Sequence, residues 1–148
     1  MKHSEKLKIL FLCTGNSCRS QMAEGWARKL KSDSIEPYSA GTHPGKLDTK
    51  SVHVMAEAGV DIANQQPKGV DDVKDIVFDY VVTVCDQARE ACPYFPARIK
   101  LVHVGFDDPP HLAANIKDEQ KVLSIYRRVR DEIRIFVEKL PEILENNK

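Results

Sequence analysis

Residues 7-LKILFL-12 are apolar at nearly every position and end at Cys13. A short, almost continuous apolar run of this kind predicts a buried strand over Lys8 to Leu12. Within a few residues the period changes. Met22, Ala23, Trp26, Ala27 and Leu30 recur at helical spacing. They predict a helix from Cys18 to about Lys31 with those side chains on its inner face. The alternation then repeats. A short strand fits 36-EPYSA-40, closed by Gly41, and Val52, Met55, Ala56 and Gly59 suggest a second helix ending near Gly59. A weaker helical pattern covers 69-GVDDVKDIV-77. The β-branched run 80-YVVTV-84 predicts a central strand, and 99-IKLVHV-104 a fourth. From about Asp118 to Leu140 the stripe Ile125, Val129, Ile133, Phe136, Val137 and Leu140 predicts a long last helix, which Pro141 ends or kinks. Strands alternating with helices imply an α/β fold. We expect a single domain over residues 1–148, with a four-stranded parallel sheet flanked by helices on both faces.

Charge narrows the partners. Lysine and arginine number 22, as do aspartate and glutamate, so the net charge is zero. No global field favours nucleic acid or an anionic membrane, and any anion recognition must be local. No apolar run approaches the roughly 20 residues of a membrane span. The polar start 1-MKHSEKLK-8 does not resemble a signal peptide, so a cytoplasmic location is the expectation. A monomer is also expected. Structural disulfides are uncommon in the cytoplasm. Cys13, Cys18, Cys85 and Cys92 also lack zinc-ligand spacing, and the five histidines are scattered, so no metal is expected. The cluster 127-RRVRDEIR-134 reads as a solvated helix face.

In parallel sheets the functional site lies at the carboxyl ends of the strands. Cys13 follows the first strand, Cys85 the third and 105-GFDDPP-110 the fourth, so all three meet at one edge. Between the first strand and its helix, Thr14, Gly15, Asn16, Ser17, Cys18, Arg19 and Ser20 form a loop at a helix N-terminus. Such a loop turns backbone N–H groups toward one point and cradles a tetrahedral oxyanion. Gly15 eases the turn and Asn16 braces it. Arg19 grips two oxygens at once. The same donors favour the thiolate of a cysteine at the floor of the cradle, and Ser20 is placed to donate to it. Cys18 reads as a packing residue. The pair Cys85 and Cys92 is seven positions apart. On a helix, at about 1.5 Å per residue, that is roughly 10 Å, beyond the reach of a disulfide unless the segment unwinds.

The strings 13-CTGNSCRSQMAEGWA-27, 38-YSAGTHP-44, 85-CDQAREAC-92, 105-GFDDP-109 and 128-RVRDEI-133 carry a resemblance that spans nearly the whole chain. It resembles the thioredoxin-coupled arsenate reductases of the low-molecular-weight protein tyrosine phosphatase superfamily. The resemblance implies a flavodoxin-like topology. It implies arsenate as substrate, with phosphate and sulfate as competing oxyanions. It makes Cys13 the nucleophile, Cys85 and then Cys92 the relay thiols, and Asp108, immediately before Pro109, the acid in preference to Asp107. The final Cys85–Cys92 disulfide would be reduced by thioredoxin, with no bound cofactor. Two other readings stand beside it: a phosphatase acting on phosphate monoesters, and a non-enzymatic anion or redox sensor. Some relatives hold an alkali cation near the loop. Asn16, Glu24 and Ser39 match three of its ligand positions, but Lys68 stands at the fourth, so no potassium dependence is expected.

Overall fold

The computed structural model describes residues 6–85 and 94–146. Strand β1 (Leu7–Cys13) leads into helix α1 (Arg19–Leu30), and β2 (Ile35–Gly41) into α2 (Thr49–Glu57). A 3₁₀ turn at Val70–Val73 precedes β3 (Tyr80–Thr83). Then come β4 (Lys100–His103), the short α3 (Pro109–Leu112), the long α4 (Glu119–Glu138) and α5 (Glu142–Asn146). All strand pairs are parallel, in the order β2-β1-β3-β4. This is the doubly wound arrangement in which the chain moves to opposite sides of β1. The crevice between the carboxyl ends of β1 and β3 is therefore the place for a ligand.

β1 is central, which is why it is apolar without alternation. Ile9, Phe11 and Cys13 face the larger core, with Met22, Ala23, Trp26, Val54, Met55, Val129 and Ile133 from the helices. Leu10 and Leu12 face a second core with Val73, Phe78, Val81 and Phe95. Successive strand side chains point to opposite faces, so both layers must be dry. The last long helix docks through Val122, Leu123, Tyr126, Val129, Ile133, Phe136 and Val137. Each such burial contributes about 1.5–3 kcal/mol. That outweighs exposed ion pairs worth about 0–1 kcal/mol each.

Several expectations shift at element ends. Leu30 is the last residue of α1 and is 39% exposed, where the helix ends and the chain turns back toward β2. Tyr126 takes the buried position in α4, and Ile125 lies beside the stripe, half-buried. The pattern at 69–77 closes only a 3₁₀ turn. Asp72 accepts a bond from the backbone N–H of Gly69 at 2.9 Å, which caps the start of this turn. Gly59, at φ +85°, closes α2 in the left-handed conformation that a side chain would resist. The 127–134 cluster is not merely solvated. The Arg130 side chain is only 13% exposed and donates to the Val54 carbonyl at 2.9 Å, tying α4 to α2.

Candidate active site

The loop from Thr14 to Cys18 is held from outside. The Thr14, Gly15 and Ser17 carbonyls accept from His43, Gly45 and Asp48 N–H groups at 2.9, 3.0 and 3.0 Å. The Asn16 carbonyl accepts from the Gln21 side chain at 2.9 Å, and the Cys18 carbonyl from Met22 N–H at 2.9 Å. In a planar trans peptide the N–H points opposite the C=O. Pulling these carbonyls outward turns the N–H groups of residues 15–19 inward. Asn16 N–H lies 3.2 Å from the Cys13 sulfur.

The turn is made differently from the sequence expectation. The left-handed residue is Asn16, at φ +51°, not Gly15. A Cβ on Gly15 would meet only the Ser17 hydroxyl, at an ordinary 3.5 Å. The glycine that the loop needs is Gly41, on the neighbouring strand in register with Cys13. A Cβ there would lie 2.4 Å from the Thr14 carbonyl oxygen and 2.9 Å from Asn16 N. Asn16 is buried, and its side chain is fully engaged. Its Oδ1 accepts from Lys68 N–H at 2.7 Å, and its Nδ2 donates to Ser20 Oγ at 2.8 Å. Ser20 Oγ lies 3.0 Å from Cys13 Sγ.

A cavity of about 310 Å³ opens over the sulfur, lined by Cys13, Thr14, Gly15, Ser17, Cys18, Arg19, Asp108 and Pro110. The buried Arg19 guanidinium donates to the Phe106 carbonyl at 3.1 Å and approaches the Val84 carbonyl at 3.5 Å and Asp108 Oδ2 at 3.6 Å. It thus braces the loop against the ends of β3 and β4. Asp108 has extended backbone ahead of Pro109 and a side chain 20% exposed. Asp107 points elsewhere, to Arg128 at 3.0 Å. Burial pushes the Cys18 thiol well above its ordinary range, and nearby Asp48 and Asp108 act in the same direction. Cys18 lines the same cavity as Cys13, and its burial holds it protonated.

Cys85 follows β3 and is fully buried. It is disulfide-bonded, whereas Cys13 and Cys18 are free thiols. Cys92 and the segment before it lie outside the described residues. Beneath the loop, the buried Glu24 carboxylate accepts from the Ser39 hydroxyl and from Arg28, and Lys68 Nζ stands 3.9 Å away. Among the described residues, no group of three His, Cys, Asp or Glu side chains is arranged to hold a metal. No helix among them is long and apolar enough to cross a membrane. The sequence reading placed Gly41 only as the end of a strand and gave Gln21 and Gln65 no role. Gln21 carried a usable signal, being polar in a helix whose neighbouring positions predict burial.

The profile of low molecular weight phosphotyrosine protein phosphatases matches residues 8–148. The chain belongs to that family. Within it, the arsenate reductase of Bacillus subtilis is 46% identical over 127 residues, 84% of this chain and 88% of that protein. The arsenate reductase of Staphylococcus aureus is 42% identical over 133 residues, 90% of this chain and 95% of that one. Among solved structures, an arsenate reductase in a phosphate-binding state superposes with TM-score 0.72 at 27% identity, covering 90% of this chain and 95% of its own. Arsenate reductase from Archaeoglobus fulgidus gives 0.68 at 34% identity, covering 89% and 97%. The four-stranded parallel sheet with its flanking helices is the fold of this family. The loop from Thr14 to Ser20 and Asp108 lie inside the matched region.

Proposed function

We propose that this protein reduces arsenate to arsenite. The observation that carries the reading is the cavity itself. A free thiol lies at its floor, inward amides and Arg19 surround it, Asp108 stands across it, and Cys85 follows the adjacent strand. Arsenate docks as a tetrahedral oxyanion. The Cys13 thiolate attacks arsenic, and Asp108 gives its proton to the departing oxygen, which leaves as water. The Cys85 thiolate then attacks the Cys13 sulfur. The S–As bond breaks and its electron pair stays on arsenic, which leaves as arsenite. Two thiols have supplied the two electrons. Cys92 next attacks Cys85, freeing Cys13 and leaving a Cys85–Cys92 disulfide, which a thioredoxin dithiol reduces. A disulfide-bonded Cys85 beside a free Cys13 is consistent with the end of this relay.

Cys18 takes no part, since burial keeps it a thiol. The family description and the shared loop also support a phosphatase reading, because attack of Cys13 on phosphorus uses the same cradle. The described lining of the cavity holds no aromatic side chain to clasp a phosphotyrosine ring, which favours the small inorganic oxyanion. Changing Cys85 to serine separates the two. Arsenite production with thioredoxin and its reductase should vanish, while hydrolysis of a small aryl phosphate should survive. Continued multiple-turnover arsenite production by that variant would overturn the relay. Arsenite formed in excess over the unmodified protein excludes a purely binding sensor.

A further inference from the structure

An unbroken line of side-chain hydrogen bonds runs from the surface to the Cys13 sulfur. Arg28 NH1 donates to Gln65 Oε1 at 2.8 Å, and Gln65 Nε2 donates to Gln21 Oε1 at 2.7 Å. Gln21 Nε2 donates to Asn16 Oδ1 at 3.0 Å, and Asn16 Nδ2 to Ser20 Oγ at 2.8 Å. Ser20 Oγ then lies 3.0 Å from Cys13 Sγ.

The direction of every amide is set by the backbone. A backbone N–H can only donate and a backbone C=O can only accept. Lys68 N–H meets Asn16 Oδ1 at 2.7 Å, so the Asn16 nitrogen must face Ser20. The Asn16 carbonyl meets Gln21 Nε2 at 2.9 Å, so the Gln21 oxygen must face Gln65. The Gln21 carbonyl meets Gln65 Nε2 at 3.1 Å, so the Gln65 oxygen must face Arg28. Ser20 Oγ accepts a hydrogen bond from Asn16 Nδ2, which leaves the hydroxyl hydrogen to point at sulfur. All five donors therefore point the same way, from the Arg28 guanidinium to the Cys13 sulfur. Aligned bonds polarise one another, most strongly where the dielectric is low. Asn16, Ser20 and Gln21 are fully buried.

We infer that Gln21 and Gln65 are positioning residues: they hold Asn16 in its left-handed conformation and orient the Ser20 hydroxyl, so that the chain stabilises the Cys13 thiolate from Arg28 inward. This deepens the arsenate reductase reading, in which Cys13 is the nucleophile. It concerns residues in α1 and after α2 that never touch the substrate cavity, since neither lines it.

The test is the pH profile of Cys13 alkylation by iodoacetamide, with the modified residue identified by peptide mapping. It is run on the parent, Gln65→Leu, Gln65→Glu and Gln21→Leu. Gln65 is only half-buried, so its variants should fold. The expected midpoint for thiolate formation moves up by about half a pH unit in Gln65→Leu. It moves further in Gln65→Glu, which replaces a donor by an acceptor, and by roughly one unit in Gln21→Leu. At a fixed pH below the midpoint these shifts read as roughly threefold and tenfold slower alkylation. A purely structural role would lower the thermal midpoint and leave the pH profile in place. Superimposable profiles for the parent and both Gln65 variants would overturn the proposal even if Gln21→Leu failed to fold. Alkylation requires no arsenate, so shifted profiles in a protein that forms no arsenite would sink the functional reading and spare the chain.

Discussion

Changing Gly41 to alanine adds one methyl group, outside the oxyanion loop and away from the reacting atoms. That methyl would start 2.4 Å from the Thr14 carbonyl oxygen and 2.9 Å from Asn16 N. Both are backbone atoms, so no side chain can swing aside. The loop must retreat by at least about 0.6 Å, from 2.4 Å out to the 3.0 Å that real Cβ contacts respect. Overpacking of this kind costs about 1–3 kcal/mol of stability. The larger effect should be on catalysis. Misplacing reacting groups by about 1 Å costs on the order of 100-fold in rate, so a fall of roughly 10- to 100-fold in kcat/KM for arsenate is expected. The assay is arsenite formation with thioredoxin, its reductase and NADPH, alongside thermal unfolding. Gly45→Ala is the matched control. Gly45 also sits against the loop, its N–H bonded to the Gly15 carbonyl at 3.0 Å, but a Cβ there meets nothing within 4 Å. It should leave activity unchanged within about twofold. A folded Gly41→Ala protein with parental kcat/KM would refute the argument that strand β2 shapes the loop by leaving room for it.

Three further outcomes are expected. Turnover should stay flat across potassium concentrations at constant ionic strength, because the Lys68 ammonium stands 3.9 Å from Glu24; strong activation would contradict this, and Lys68→Ala should introduce some. Hydrogen bonds from Arg127, aided by the charges of His53 and Arg130, hold the Glu57 carboxyl at about 2, below its ordinary value of 4.5. Its contribution to stability is present above that ordinary value and is lost as pH falls toward 2, so urea curves of the parent and Glu57→Gln should differ at neutral pH and converge near pH 2. Arg130→Met leaves the Val54 carbonyl without its 2.9 Å donor and should cost about 1–2 kcal/mol, read as a few degrees in Tm; an unchanged Tm would return Arg130 to the solvated face that its neighbours suggest.

The sheet was legible because its cause is local. A central parallel strand must be dry on both faces, so β1 announces itself as an unbroken apolar run. The two long helices show their inner stripes for the same reason. Legibility fails where a long-range contact decides. Nothing near Leu30 says that the chain turns away there. Val70–Val73 makes a single 3₁₀ turn, capped at its start by Asp72 on Gly69 N–H, and periodicity does not record where it stops. Arg130 looks like its neighbours Arg127 and Arg128 in the string, and only the docking of α4 on α2 buries it.

The candidate site divides in the same way, and the division explains why its residues were easier to single out than the contacts that hold them. Cys13, Arg19 and Ser20 lie within one turn of chain, so their spacing carries their geometry. What holds that turn in place comes from elsewhere: Gly41 on β2, His43 and Asp48 beyond it, Lys68 and Gln65 after α2, and the Val84 and Phe106 carbonyls that Arg19 reaches. These groups bond backbone or close gaps, which any sequence window would treat as loop. Even the glycine inside the loop drew attention to the wrong position, since Asn16 takes the left-handed conformation and can do so because Gln21 and Lys68 N–H hold both its backbone carbonyl and its side chain. A loop that must present its donors before the anion arrives cannot be braced by the anion. Its outward carbonyls have to be occupied by other segments, and those segments are where further substitutions should alter the chemistry without touching the substrate.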